Sequence, residues 1–305
     1  MKVHLKMNLH PEVVGIDIGG TGIKIGRFDE TGACNQELTI PTPRPANPEL
    51  VVDAISVALE QINPDKKVIA LGVGVPGVVD RSGRIAKVAI NLSGWLNVRL
   101  AEMLETRTGI PTILANDANC AGLGEVWLGA GSKYQDVILL TLGTGVGGAI
   151  ILNGDLYTGH LGAAGELGLI MYDPNGPECN SGNKGSLEQH LSIGAIKRMT
   201  GYAPAQMGAL AKAGDSSALS FWREYGRILG TGITSFIYTL TPEAIIIGGG
   251  ISASADFFLP YALEEVRKRV LPPSRDGFEL LKAILGNQAG IVGAAKLAWE
   301  LIKTN

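Results

Sequence analysis

Apolar runs interrupted by glycine set the pattern of this chain. The first is Val13 to Phe28, VVGIDIGGTGIKIGRF, in which Asp17-Ile18-Gly19-Gly20-Thr21-Gly22 separates two apolar stretches. Such runs on either side of a glycine-rich break predict a β-hairpin, with strands at Val13–Asp17 and Ile23–Phe28. A third strand is expected at Asn35–Ile40. The four prolines of residues 41–48 forbid a helix and impose an extended linker. Asn47 then predicts an N-cap, with Pro48 at the first position of a helix. Its Leu50, Val51, Ala54, Ile55, Ala58 and Leu59 recur at helical spacing. Val68–Val75 reads as a strand ending at Pro76-Gly77, and Leu96–Arg107 as a helix stopped by Gly109. Thr112–Ala115 reads as a short strand running straight into Asn116-Asp117-Ala118-Asn119, where Asn116 or Asp117 can cap the next helix.

The pattern then recurs. Asp136–Leu142 is a β-run broken by Gly143-Thr144-Gly145, and Gly147–Leu152 is another. Two strand–glycine–strand segments about 120 residues apart predict two related α/β halves facing a shared cleft. Residues 157–192 are glycine-rich and irregular. Ala218–Leu240 reads as a long helix ended by Thr241-Pro242, and Ala244–Ile247 as a buried strand closed by Gly248-Gly249-Gly250. A helix at Tyr261–Leu271, a strand at Leu280–Leu285 and a closing helix from Gly290 complete the prediction. The expected division is a small lobe over 1–115, on which a helix at 290–303 packs back, and a large lobe over 116–289.

Composition narrows the function classes. The chain has 305 residues, 46% hydrophobic and 18% charged, which suits a packed core. Net charge is −3 with no basic block, so a nucleic-acid surface is not expected. Cys34, Cys120 and Cys179 are odd in number and far apart, so no disulfide framework is implied. No apolar run approaches a membrane span and the first residues lack a signal-peptide core, so a cytoplasmic protein is expected.

Several segments can carry chemistry. In the first hairpin the glycines let the backbone approach a ligand, and their N–H groups with the Thr21 hydroxyl can hold phosphate oxygens. Asp17 would face that phosphate, which makes sense with Mg²⁺ between them. A tight hairpin with an exposed Asp17 fits the same residues. Asp117 stands where a strand meets a helix, the edge at which open α/β sheets gather ligands; it serves either as a proton acceptor or as a plain N-cap. Glu166 lies among the glycines of Gly159–Gly168, beside His160, and suits adjacent sugar hydroxyls or is simply solvated. Gly248-Gly249-Gly250 either admits a flat ring or makes an ordinary turn. Asn91, in Asn91-Leu92-Ser93-Gly94-Trp95, offers an amide to hydroxyls or forms an Asx turn.

Taken in order, DIGGTGIKIG at 17–26, GVPG at 74–77, NLSGW at 91–95, NDANCAGLGE at 116–125, LGTGVGG at 142–148, GHLGAAGELG at 159–168, GGGIS at 248–252 and AGIVGAA at 289–295 resemble the ROK family of bacterial sugar kinases and related repressors. The likeness is greatest to its glucokinase members. The stretch IDIGGTGIK followed by IPTPRPANPE is also similar to polyphosphate-using glucokinases. The resemblance implies an actin-like, hexokinase-type (ribonuclease H-like) α/β fold with two lobes around a central cleft. It implies ATP-dependent phosphorylation of a hexose, most of all glucose to glucose 6-phosphate, with Asp117 as general base. Gly77, Asn91, Asn116, Asp117, Glu166 and Glu188 would hold the sugar. Asp17, Gly19, Gly20, Thr21 and Lys24 would line the first phosphate loop, Gly143, Thr144 and Gly145 the second, and Gly248, Gly249 and Gly250 the adenosine. Mg²⁺ would arrive with ATP near Asp17, and a homodimer is expected.

The chain departs from the family pattern at its zinc motif. Leu169 stands where the family has a histidine, and Cys179-Asn180-Ser181-Gly182-Asn183-Lys184-Gly185-Ser186-Leu187-Glu188 keeps one of the motif's cysteines. One cysteine cannot hold a tetrahedral zinc, so none is expected. Leu169 also removes a hydroxyl-binding group. Other hexoses (mannose, fructose, an N-acetylated amino sugar), polyphosphate as donor and a non-catalytic sugar-sensing role are the alternatives. A DNA-binding repressor would need a helix-turn-helix ahead of Asp17, where only 16 residues stand.

Overall fold

The computed structural model describes residues 11–89, 92–179 and 181–304. They form two compact units. One holds the chain up to Gly124, Gly159–Ala163 and the segment from Gln288 onward; the other holds Glu125–Thr158 and Ala164–Asn287.

In the first unit β1 (Glu12–Ile18) and β2 (Gly22–Phe28) make the expected antiparallel hairpin, with Asp17 opposite Lys24. β3 (Cys34–Pro41) pairs with β2. α1 (Pro48–Ile62) starts as the sequence predicts: the Asn47 side-chain oxygen accepts from the Leu50 amide at 3.0 Å, and Pro48 needs no partner for a missing N–H. β4 (Val68–Val75) runs parallel to β1. β5 (Ala86–Val88) and β6 (Leu96–Val98) form a small ribbon before α2 (Leu100–Thr108). The helix expected from Leu96 therefore begins at Leu100. Asn97 has φ +52°, a left-handed conformation no α-helix accommodates. β7 (Thr112–Asn116) runs parallel to β4 and leads without a break into α3 (Asp117–Leu128). The sheet order is β3-β2-β1-β4-β7.

The second unit repeats that order. β8 (Val137–Leu142), β9 (Val146–Leu152) and β10 (Asp155–Leu156) form an antiparallel meander. The helices α4 (Glu188–Leu191), α5 (Ile193–Thr200), α6 (Pro204–Lys212) and α7 (Ser216–Leu240) follow. Then come β11 (Ala244–Gly248), α8 (Ala255–Arg269), α9 (Pro272–Arg275) and β12 (Glu279–Lys282). β11 lies parallel between β8 and β12, giving β10-β9-β8-β11-β12. Each unit thus has an antiparallel meander whose first strand continues into two parallel strands. The core of this unit is built on the fully buried Trp222, Tyr225 and Phe258, whose rings meet at 5.1–5.6 Å.

Three further details differ from expectation. α5 and α6 occupy residues left unassigned by periodicity. α8 begins at Ala255, with Pro260 inside it. β12 stops at Lys282, because the Ile284 and Leu285 amides turn to the buried Glu125 carboxylate at 3.1 and 2.8 Å instead of continuing the ladder.

The closing helix α10 (Ala289–Thr304) packs on the first sheet with almost no side-chain layer between. A Cβ at Gly15 or Gly72 would overlap the carbonyl of Ile291 or Ala294, and one at Gly293 would overlap that of Cys120. These glycines let a helix backbone rest on β1, β4 and the first half of α3. The unit boundary accordingly falls between Gly124 and Glu125, inside α3, rather than at 115/116. No helix among the described residues is long and apolar enough to cross a membrane.

Candidate active site

In the first unit the candidate residues gather where β1 and β7 end. Asp17 is half-buried, and the Gly19-Gly20-Thr21 turn follows it. That turn is closed by the Gly19 N–H donating to the Gly22 carbonyl at 3.0 Å and strapped by the Thr42 hydroxyl donating to the Gly19 carbonyl at 2.6 Å. Gly20 and Thr21 are exposed. Across the ladder, Lys24 opposes Asp17.

Asn116 is both a cap and a strap. Its Oδ1 accepts from the Ala118 and Asn119 amides at 2.8 and 3.2 Å, which caps α3, and its Nδ2 donates to the Gly77 carbonyl at 3.0 Å. Gly77 has φ +142°, and a Cβ there would overlap the Val88 carbonyl, so only glycine fits. Asp117 keeps solvent access, with Oδ1 accepting from the Ala118 amide at 2.8 Å.

Asp17 feels the charge of Asp117. Burial, then the nearby Asp117, push the Asp17 carboxyl up from 3.8 to about 6, with Lys24 opposing. Burial also raises the Asp117 carboxyl, opposed first by the Ala118 amide. Burial and both carboxylates hold the Cys120 thiol well above its ordinary value, so it stays protonated. A Cβ at Gly74 would lie 3.3 Å from Cys120 Sγ and 3.6 Å from Asp17 Oδ1, and one at Gly290 only 2.8 Å from Asp17 Oδ2. Gly74, Cys120 and Gly290 thus pack around Asp17. No sequence signal marked this beyond their place in glycine-rich motifs.

In the second unit the turn is Gly143-Thr144-Gly145, closed by the Gly143 N–H donating to the Gly145 carbonyl at 2.9 Å, with Thr144 exposed at its tip. Glu188 opens α4 and turns its carboxylate onto this turn, where Oε2 accepts from the Val146 amide at 2.9 Å. The Ile193 amide donates to the Gly143 carbonyl at 2.8 Å. Gly249, at φ +80°, lies against the backbone of Leu142, which puts Gly248–Gly250 beside the same turn. Glu166 is exposed and precedes a short 3₁₀ turn, Leu167–Leu169, whose Leu167 and Gly168 pack on Val146 and Gly148 of β9. The glycine-rich stretch expected as one loop is shared: Gly159–Ala163 belongs to the first unit and Glu166 to the second. Asn91 lies outside the described residues.

Among the described residues no group of three or more His, Cys, Asp or Glu side chains can hold a metal. Asp17 is a hard oxygen donor, suited to a Mg²⁺ ion that keeps water and phosphate as its other ligands. The zinc-motif segment is different. The sulfur of Cys179 receives the Ser181 hydroxyl at 3.3 Å, which lowers the thiol pKa. The segment is tied by backbone pairs, Tyr172 N–H to the Gly185 carbonyl at 2.8 Å and Leu187 N–H to the Ile170 carbonyl at 2.9 Å. One thiol among hydroxyls does not fit a tetrahedral zinc.

Residues 13–300 match the model of the ROK family. The chain belongs to the ROK family. It is 33% identical to a glucokinase of Thermotoga maritima over 95% of this chain and 98% of that one. Its fold is similar to that of a ROK family glucokinase from Streptomyces griseus solved with glucose and AMPPNP (TM-score 0.79, 34% identity, 95% and 99% of the two chains). It is also similar to a ROK hexokinase from Thermus thermophilus (TM-score 0.85, 30% identity, 96% and 100%). This ROK chain therefore has the actin-like, hexokinase-type fold, with the five-stranded sheet order present twice.

Proposed function

We propose that this ROK protein is a sugar kinase that transfers the terminal phosphoryl group of ATP to the primary hydroxyl of a hexose, glucose first. The observation that carries the reading is Asp117, a solvent-accessible carboxylate at a strand-to-helix junction, whose charge helps to raise the pKa of a second carboxylate, Asp17. Asp117 aligns the sugar hydroxyl and accepts its proton. Even a raised carboxylate is a far weaker base than an alkoxide, so the proton moves late, as the bond to phosphorus forms. Most of the rate then comes from positioning and from charge stabilisation.

In this reading Gly77, Asn91, Asn116, Glu166 and Glu188 hold sugar hydroxyls. Gly19, Gly20, Thr21 and Lys24, together with Gly143, Thr144 and Gly145, hold phosphates, and Gly248–Gly250 border the adenosine. Asn116 uses its oxygen to cap α3, so its contribution to the sugar is an N–H or the placing of Gly77. Asp17 would hold Mg²⁺ brought by the nucleotide, which supplies neutralisation of phosphate charge. Leu169 offers no hydrogen bond, so sugar affinity or preference shifts from that of members with histidine there. The reading includes a cytosolic homodimer without structural zinc.

The test is an ADP-release assay across glucose, mannose, fructose and N-acetylated amino sugars, with polyphosphate as a parallel donor. Glucose with ATP gives the highest kcat/KM, and Asp117→Ala lowers kcat by roughly 10²–10⁴ while glucose binding stays measurable. Turnover of no hexose, or near-normal turnover by the variant, refutes it.

A further inference from the structure

The Gly143-Thr144-Gly145 turn joins β8 to β9 through two glycines, the residues least able to hold one backbone conformation by themselves. Within the turn there is one closing bond, from the Gly143 amide to the Gly145 carbonyl. Its two flanks are held by one short segment. The Gly143 carbonyl receives the Ile193 amide at 2.8 Å, and the Val146 amide donates to Glu188 Oε2 at 2.9 Å. A side chain at 145 would crowd that same oxygen, since a Cβ there would sit 2.5 Å from it.

The segment is itself well anchored. Leu187 and Leu191 are fully buried, the Tyr225 hydroxyl donates to the Leu191 carbonyl at 2.7 Å, and Ser192 caps α5 through the Ala195 amide at 3.2 Å. Rigid neighbours therefore fix a turn whose own sequence does not. Donor N–H groups aimed in advance bind phosphate without an ordering cost.

We infer that Glu188 and Ile193 set the geometry of the Gly143-Thr144-Gly145 turn, so that Glu188 is a positioning residue for the nucleotide as well as a contact for the sugar. This rests on reading that turn as a phosphate loop. The carboxylate would divide its work: Oε2 holds the Val146 amide, which leaves Oε1 for a sugar hydroxyl. Loss of Glu188 then weakens nucleotide binding even when no sugar is present, which a residue serving the sugar alone would not do.

The experiment uses the full chain without sugar, titrated with AMPPNP by calorimetry, and follows amide exchange at Val146. In Glu188→Ala, AMPPNP binding weakens roughly tenfold or more, the range spanned by a hydrogen bond to a charged group, and Val146 exchanges faster. Glu188→Gln keeps an acceptor oxygen and restores both. Ile193→Pro is a second, independent probe. Proline is accepted at the first helical position but has no N–H for Gly143, so AMPPNP binding falls relative to Ile193→Ala, which keeps the N–H. Wild-type binding of AMPPNP with an indifferent Glu188→Ala, or a Gln variant as weak as Ala, overturns the inference. A wild-type chain that binds no AMPPNP overturns the kinase reading instead, and this inference with it.

Discussion

Asp17 stabilises the folded protein least at neutral pH, where its carboxyl is charged. Its carboxyl is raised from 3.8 to about 6 by burial and by Asp117. The folded state therefore holds this proton more tightly than the unfolded chain, and between 3.8 and about 6 stability falls as pH rises. Below 3.8 the group costs nothing; above about 6 the whole penalty is present. Each tenfold in proton affinity is about 1.4 kcal/mol, so the penalty reaches about 3 kcal/mol, an upper figure because Asp17 keeps some contact with water. Asp17→Asn keeps the shape and removes the charge. With no nucleotide or metal added, the variant unfolds at higher urea than wild type at about pH 7.5, and the gap closes towards about pH 4. Groups common to both proteins cancel in that difference. Asp117→Asn, by removing the second cause of the shift, narrows the wild-type penalty without abolishing it. A variant no more stable than wild type at about pH 7.5, or a gap independent of pH, refutes the argument.

Other expectations follow from single contacts. Glu125 is fully buried and accepts from the amides of Ala130, Ile284 and Leu285, so Glu125→Ala strands three donors and costs roughly 3 kcal/mol or more in urea unfolding, with Glu125→Gln intermediate. Gly72→Ala drives a methyl into the Ala294 carbonyl and costs about 1–3 kcal/mol by displacing α10. Gly20→Ala, where an added Cβ meets nothing within 4 Å, leaves the unfolding midpoint close to wild type. A chelator leaves the melting temperature unchanged, and metal analysis of the purified protein finds no stoichiometric zinc; a chelator-induced drop would contradict the reading of Cys179 among hydroxyls.

What could be read from the chain and what could not divide along the range of the interactions. The hairpins at Asp17 and Gly143, the Asn47–Pro48 helix start and the strand running into Asp117 all depend on residues within a few positions of one another. Their glycines, prolines and apolar periods state them directly. The recurrence of strand, glycine turn and strand announced the duplication, but not that β4 and β7 would be answered by β11 and β12. Parallel pairing leaves no local mark. The same limit explains the site. Glu188 was legible only as a position in a motif, because its bond to the Val146 amide crosses 42 residues of sequence. Gly290 was legible as part of a closing helix, yet its work is to leave room for a carboxylate on β1. Asn116 was read as a sugar ligand or a cap, and the cap carries a second bond to Gly77 that no spacing rule suggests. The residues proposed for the chemistry were thus easier to find than those that hold them. A reactive carboxylate declares itself by type and local setting, whereas a supporting group declares itself only through what it touches.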